Sequence, residues 1–227
     1  MFHVKICGVR RTEDVAHAQL SGADAIGLNF FPRSVRFVEP LSTQASQLAA
    51  EAASRGLATI GVFVDASPDL VAQWCEATKI DVIQIHGDES AVVVRAIQAL
   101  TRLPVIRAIK LPTGPLGVEL IDRRVAPWLE LGCHPLLDAD AGTAHGGSGR
   151  ALDWQAIGLW AARNPGVAWT LAGGLTPENV ADAIEKTCAH SVDAASGVEQ
   201  PRGVKSQSQI AAFLAACQRA GLHGQRL

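Results

Sequence analysis

Short runs rich in Val, Ile, Leu and Ala alternate along the chain with longer segments in which apolar residues return every three or four positions. The short runs read as strands and the longer segments as helices with one buried face. Eight strand-like runs are predicted: HVKIC (3–7), DAIGLNF (24–30), ATIGVFV (58–64), DVIQIH (81–86), PVIRAI (104–109), HPLLD (134–138), AWTLA (168–172) and SVDAAS (191–196). Between them, residues 41–54 carry Leu41, Ala45, Leu48, Ala49 and Ala52 at helical spacing, with Ser42 or Thr43 as cap. The segment SPDLVAQWC opens with Ser67 as N-cap and Pro68 at the first helical position. TPENVADAI repeats the device with Thr176 and Pro177, and the last helix, SQSQIAAFLAACQRAG, stops at Gly221, where a left-handed cap belongs.

Eight strand-then-helix units predict an α/β fold, a single (β/α)8 barrel over residues 1–227, because parallel strands need crossover helices and eight of them close without an edge. An open doubly wound sheet is the competing architecture. It fits less well, because ICGVRR has one glycine where a dinucleotide fingerprint needs three. No linker or low-complexity stretch marks a second domain, and the irregular segment 139–154 reads as one long active-site loop.

Composition narrows the partners. The 227 residues are 48% hydrophobic and 19% charged with a net charge of -2, as in an ordinary globular protein. Lysines and arginines are scattered beyond the pairs Arg10-Arg11 and Arg123-Arg124, so no nucleic-acid partner is expected. No apolar run reaches membrane-span length, and the first residues lack a signal peptide's apolar stretch, so no membrane partner is expected. Five cysteines without ligand spacing suit a reducing compartment, and a cytoplasmic location is expected.

Barrels of this kind work at the C-terminal ends of their strands, so the residues leaving each strand are the candidates. Strand 1 ends in Cys7, strand 2 runs into FFPRSVRF with Arg33 and Arg36, strand 4 ends in His86 and strand 6 in Asp138. Gly173-Gly174 and Ser196-Gly197 leave strands 7 and 8, where small residues let backbone N–H groups meet a phosphate. Taken alone, Cys7 reads first as a buried structural thiol and only second as a reactive one, while His86 reads equally as a base or a lining residue. Arg36 reads as a carboxylate clamp or a solvated arginine. Asp138 ends a buried strand, where a carboxylate needs a task or a partner. Asp140 and Asp153 compete with it, although Asp153 suits a helix cap.

The segments KICGVRRTEDV, GADAIGLNFFPRSVRFV, VIQIHGDE, LLDADAGTAHGGSGRALDW, LAGGLTPENV and VDAASGVEQPRGVKS, in that order, resemble the phosphoribosylanthranilate isomerase family of tryptophan biosynthesis across essentially the whole chain. The resemblance implies a (β/α)8 barrel that carries out an Amadori rearrangement on a phosphosugar substrate, with no cofactor and no metal. It implies Cys7 as general base, Asp138 as general acid and Arg36 as holder of the anthranilate carboxylate. Gly173, Gly174, Ser196 and Gly197 fall on its phosphate loops, and Asp193 and His86 line the site. The chain departs from the family pattern in FFP for FYP, GRALDW for GKTFDW, and Ser206 for an aspartate. Two rivals are a related isomerase of histidine biosynthesis, alone or with dual substrates, and a non-catalytic phosphosugar-binding barrel. The first uses two aspartates, which Cys7 argues against. The five tryptophans fall mainly on helices, as core residues or as an interface, so a monomer or a homodimer is expected.

Overall fold

The computed structural model describes residues 2–140 and 152–222. Its strands are β1 (Val4–Cys7), β2 (Ala25–Asn29), β3 (Ala58–Phe63), β4 (Val82–Ile85), β5 (Val105–Leu111), β6 (His134–Ala139), β7 (Thr170–Leu171) and β8 (Val192–Ala194). The helices are α1 (Thr12–Ser21), α2 (Thr43–Ser54), α3 (Pro68–Thr78), α4 (Ala91–Thr101), α5 (Val118–Leu129), α6 (Trp154–Arg163), α7 (Val180–Thr187) and α8 (Gln207–Arg219). The strands pair in parallel in sequence order and β8 returns to β1, closing the barrel. The open doubly wound alternative is thereby overturned.

Two apolar clusters hold the architecture. The larger, with Ile6, Leu28, Phe63, Ile83, Trp160 and Phe213, joins the outward strand faces to the helices. The smaller, with Ala25, Ile60, Ile106, Ala108, Leu136 and Ala172, comes from alternate strand positions and fills the barrel interior. Above it, the inward positions turn polar: Lys5, Gln84 and Asp193 are buried there. This polar layer forms the floor of the site.

Local signals act as their chemistry dictates. Ser42 Oγ accepts the Ala45 N–H and caps α2, and Ser67 does the same for Leu70 with Pro68 opening α3. Asp153 caps α6 by accepting from Ala156 N at 3.0 Å. Gly221 takes φ +84 just beyond α8. One expectation needs correction. Thr176 and Pro177 do not open α7, which begins at Val180. Asn179 instead folds back, its Oδ1 accepting from Thr176 N at 2.8 Å and its Nδ2 donating to Gly174 O at 2.9 Å. The amide closes a turn that brings Gly174 to the barrel mouth. The predicted long loop 139–154 lies largely outside the described residues.

Candidate active site

A cavity of about 300 Å³ opens at the C-terminal ends of the strands. Its wall includes Cys7, Arg36, His86, Asp138, Gly173, Gly174, Asp193 and Ser196, which brings together every expected site residue except Gly197. Gly197 lies directly behind this wall, in a 3-10 turn at Ser196–Val198. A Cβ on it would stand 1.9 Å from the Leu175 carbonyl oxygen, so the loops after β7 and β8 touch only because the residue is glycine.

On one side, β1 ends with Cys7, 7% exposed, packed against Gly27 of β2. Burial pushes the thiol up from its ordinary value and Asp193 adds to this, while Lys5, Lys205 and Arg36 pull it down without prevailing. The free site therefore holds Cys7 as a thiol near neutral pH. Arg36 is neither solvated nor open at both edges. Its Nε and Nη2 donate to Glu199 Oε1 at 2.6 Å and Oε2 at 2.8 Å, a bidentate pair with both side chains buried. Glu199 also accepts from Lys205 Nζ at 2.8 Å and from Gly203 N at 2.9 Å. Burial raises the Glu199 carboxyl, but Arg36, Lys205 and the Gly203 N–H together hold it at about 2. Lys205 itself is lowered, because its burial outweighs the attraction of Glu199.

On the other side, Asp138, the last residue but one of β6, has its Oδ2 3.2 Å from His86 Nε2 and its Oδ1 accepting from Ala139 N at 2.8 Å. Gln84, one inward position below His86 on β4, puts its Nε2 3.0 Å from His86 Nδ1. The Gln84 Oε1 accepts from Lys5 Nζ, and Lys5 in turn lies 3.0 Å from Asp193 Oδ2. Burial lowers Lys5, but the charge and hydrogen bond of Asp193 together with the charges of Cys7 and Asp138 more than reverse it, and burial raises Asp193 with only partial relief from Lys5. Asp193 Oδ1 has no hydrogen-bond partner among the described residues and is buried beside the cavity. Asp140, the competing aspartate, lines a separate groove with Arg107 and Lys110.

Gly173 is required next to Asp138. Its φ is +83, and a Cβ there would stand 3.0 Å from Asp138 Oδ1 and 2.5 Å from Ala139 N. Only a residue without Cβ lets the β7 loop pass so close to the carboxylate.

The model of the N-(5'-phosphoribosyl)anthranilate isomerase family matches residues 4–216. The chain belongs to this family. It is 41% identical over 212 residues to the N-(5'-phosphoribosyl)anthranilate isomerase of Cereibacter sphaeroides, covering 93% of this chain and 96% of that one. It is 38% identical over 229 residues to that of Ralstonia pickettii, covering 96% and 93%. The fold matches crystalline phosphoribosyl anthranilate isomerase from Thermotoga maritima at a TM-score of 0.82 and 30% identity, covering 96% of this chain and all of that one. A second solved isomerase, similar at TM-score 0.79 and 29% identity over 96% and 100% of the two chains, holds reduced 1-(o-carboxyphenylamino)-1-deoxyribulose 5-phosphate.

Within this phosphoribosylanthranilate isomerase family, Ser206 is a departure with a structural account. Its hydroxyl accepts from Gln209 N at 3.4 Å at the start of α8, a capping task that serine and aspartate share. Four residues escaped the sequence reading: Lys5, Gln84, Glu199 and Lys205. Inward alternation on β1 and β4 offered a signal for Lys5 and Gln84, since each stands two positions before a candidate residue. Glu199 and Lys205 lie in a loop whose pairing with Arg36 spans 163 residues. Among the described residues, no helix is long and apolar enough to cross a membrane.

Proposed function

We propose that this chain isomerises N-(5-phosphoribosyl)anthranilate to 1-(2-carboxyphenylamino)-1-deoxyribulose 5-phosphate, residues 1–227 working as one catalytic domain in the cytoplasm. The observation that carries this reading is a thiol and a carboxyl on well-separated strands, β1 and β6, facing one cavity.

Asp138 protonates the ring oxygen of the sugar while the anthranilate nitrogen pushes its lone pair toward C1, breaking the C1–O bond and leaving a C1=N iminium. Cys7, as thiolate, then takes the C2 proton, and the electrons of that bond neutralise the iminium to give an enaminol. Protonation at C1 as the C2 hydroxyl becomes a carbonyl yields the ketose. The reaction needs one acid and one base, each of the kind that contributes roughly 10²–10⁴-fold. Burial holds the resting Cys7 as thiol, so the cations Lys5, Lys205 and Arg36 and the positive charge of the iminium favour the thiolate when it is needed. The phosphate sits on the backbone of Gly173-Gly174 and Ser196-Gly197. Arg36 faces the anthranilate carboxylate with Nη1, its other edge being taken by Glu199. His86 and Asp193 line the sugar.

The histidine-pathway alternative is not favoured, because the strand that would carry its first aspartate ends in Cys7. The non-catalytic barrel lacks support, since both acid and base are present. Loss of anthranilate fluorescence on mixing with fresh phosphoribosylanthranilate tests the reading: rapid consumption is expected, and an inert protein that still binds the phosphosugar contradicts it.

A further inference from the structure

Four side chains cross the floor of the cavity in an unbroken line to the carboxyl of Asp138. Asp193 of β8 holds Lys5 of β1 at 3.0 Å, Lys5 donates to Gln84 Oε1 of β4, Gln84 Nε2 lies 3.0 Å from His86 Nδ1, and His86 Nε2 lies 3.2 Å from Asp138 Oδ2. Lys5 and Gln84 are at most 1% exposed, so water does not compete for these bonds.

The chemistry of each link fixes the next. An ammonium has only donors, so the amide edge facing Lys5 is the carbonyl oxygen. The edge facing His86 is then the NH₂, which only donates, and His86 Nδ1 is therefore an acceptor. A neutral imidazole carries one N–H, which leaves it on Nε2, directed at Asp138. We propose that Lys5 and Gln84 are positioning residues that hold His86 in its Nε2–H tautomer, and that His86 in turn fixes Asp138 by donating to Oδ2. This rests on the reading of Asp138 as the acid. With Ala139 N on Oδ1, the carboxyl plane is pinned from both ends, and each oxygen keeps a lone pair for the transferable proton.

The device acts on the reaction and not merely on the fold. As Asp138 gives its proton to the ring oxygen it becomes a carboxylate, and the bond from His86 turns charge-assisted; His86 keeps its own proton throughout. The gain appears in the transition state, so its loss lowers kcat more than it raises KM.

Ring ¹⁵N–¹H correlation spectra of ¹⁵N-histidine-labelled protein read the tautomer directly, with His86 assigned through His86→Gln. In the wild type the neutral ring is expected to be protonated at Nε2 and bare at Nδ1; protonation at Nδ1 overturns the proposal without any variant having to fold. Gln84→Glu replaces the donating edge by an acceptor, so the tautomer should switch to Nδ1–H and kcat should fall about 10- to 100-fold, the worth of one hydrogen bond to a charged group, with KM within about threefold. A folded Gln84→Glu that keeps the Nε2–H ring or wild-type kcat contradicts it. The tautomer needs no turnover to be read, so the two readings fail separately: an Nε2–H ring together with a fully active Asp138→Asn removes the acid assignment and leaves the relay standing.

Discussion

Glu199→Gln is the perturbation whose size follows most directly from the geometry. Glu199 Oε1 accepts from Arg36 Nε and Lys205 Nζ, and Oε2 from Arg36 Nη2 and Gly203 N. An amide of the same shape presents its NH₂ to two donors whichever way it is turned, and it leaves two buried cations without a counter-charge. Removing one partner of a buried pair costs about 3–5 kcal/mol. Linkage gives a similar figure: the carboxyl falls from 4.5 to about 2 on folding, equivalent to about 3 kcal/mol at 1.36 kcal/mol per pKa unit. For a chain of this length, about 2–4 °C per kcal/mol translates this into a Tm lowered by roughly 6 to 20 °C. Scanning calorimetry at pH 7 measures it. Because the folded-state value is depressed, this stability is complete above the unfolded value of 4.5 and drains as pH falls toward 2, so the gap between wild type and variant narrows below about pH 4.5. A Tm drop under 2 °C at pH 7, or a gap that stays constant to pH 3, would refute the assignment of Glu199 as the charge that holds Arg36 and Lys205.

Two further outcomes follow from the site. Gly197→Ala drives a methyl to within 1.9 Å of the Leu175 carbonyl and parts the loops after β7 and β8; KM for phosphoribosylanthranilate should rise at least tenfold with a stability loss of about 1–3 kcal/mol, and a KM within twofold of wild type speaks against those loops as the proposed phosphate seat. Alkylation of Cys7 by iodoacetamide, followed on its own peptide, should still be accelerating past the thiol's ordinary value of 9.0, because burial raises it; a rate that levels off below pH 8 means the surrounding cations win instead.

The barrel was legible because its strands are buried on both faces and read as unbroken Val and Ile runs, and because serine, proline and glycine mark helix ends through purely local bonds. Cys7, His86 and Asp138 stood out for a related reason: a reactive side chain ending an apolar run is conspicuous in one dimension. The TPEN segment misled because Asn179, not Thr176, makes the decisive hydrogen bonds, and both residue types serve turns as well as caps. What one dimension does not carry is pairing across the closed barrel. Arg36 reads as a clamp awaiting a ligand, and only closure brings Glu199 onto it from the last loop. Lys5 and Gln84 look like isolated polar interruptions of two strands until β1 and β4 face each other across the interior. The site was thus legible at its chemical ends and silent about the charges that tune them.

The central claim is that Asp138 and Cys7 divide the proton transfers between them. The measurement that tests it most directly is turnover of phosphoribosylanthranilate by wild type, Cys7→Ala and Asp138→Asn, each paired with calorimetric binding of reduced 1-(o-carboxyphenylamino)-1-deoxyribulose 5-phosphate. The account predicts that both variants bind the analogue within a few fold of wild type while kcat falls by roughly 10²–10⁴. Near-normal turnover by either variant would contradict it.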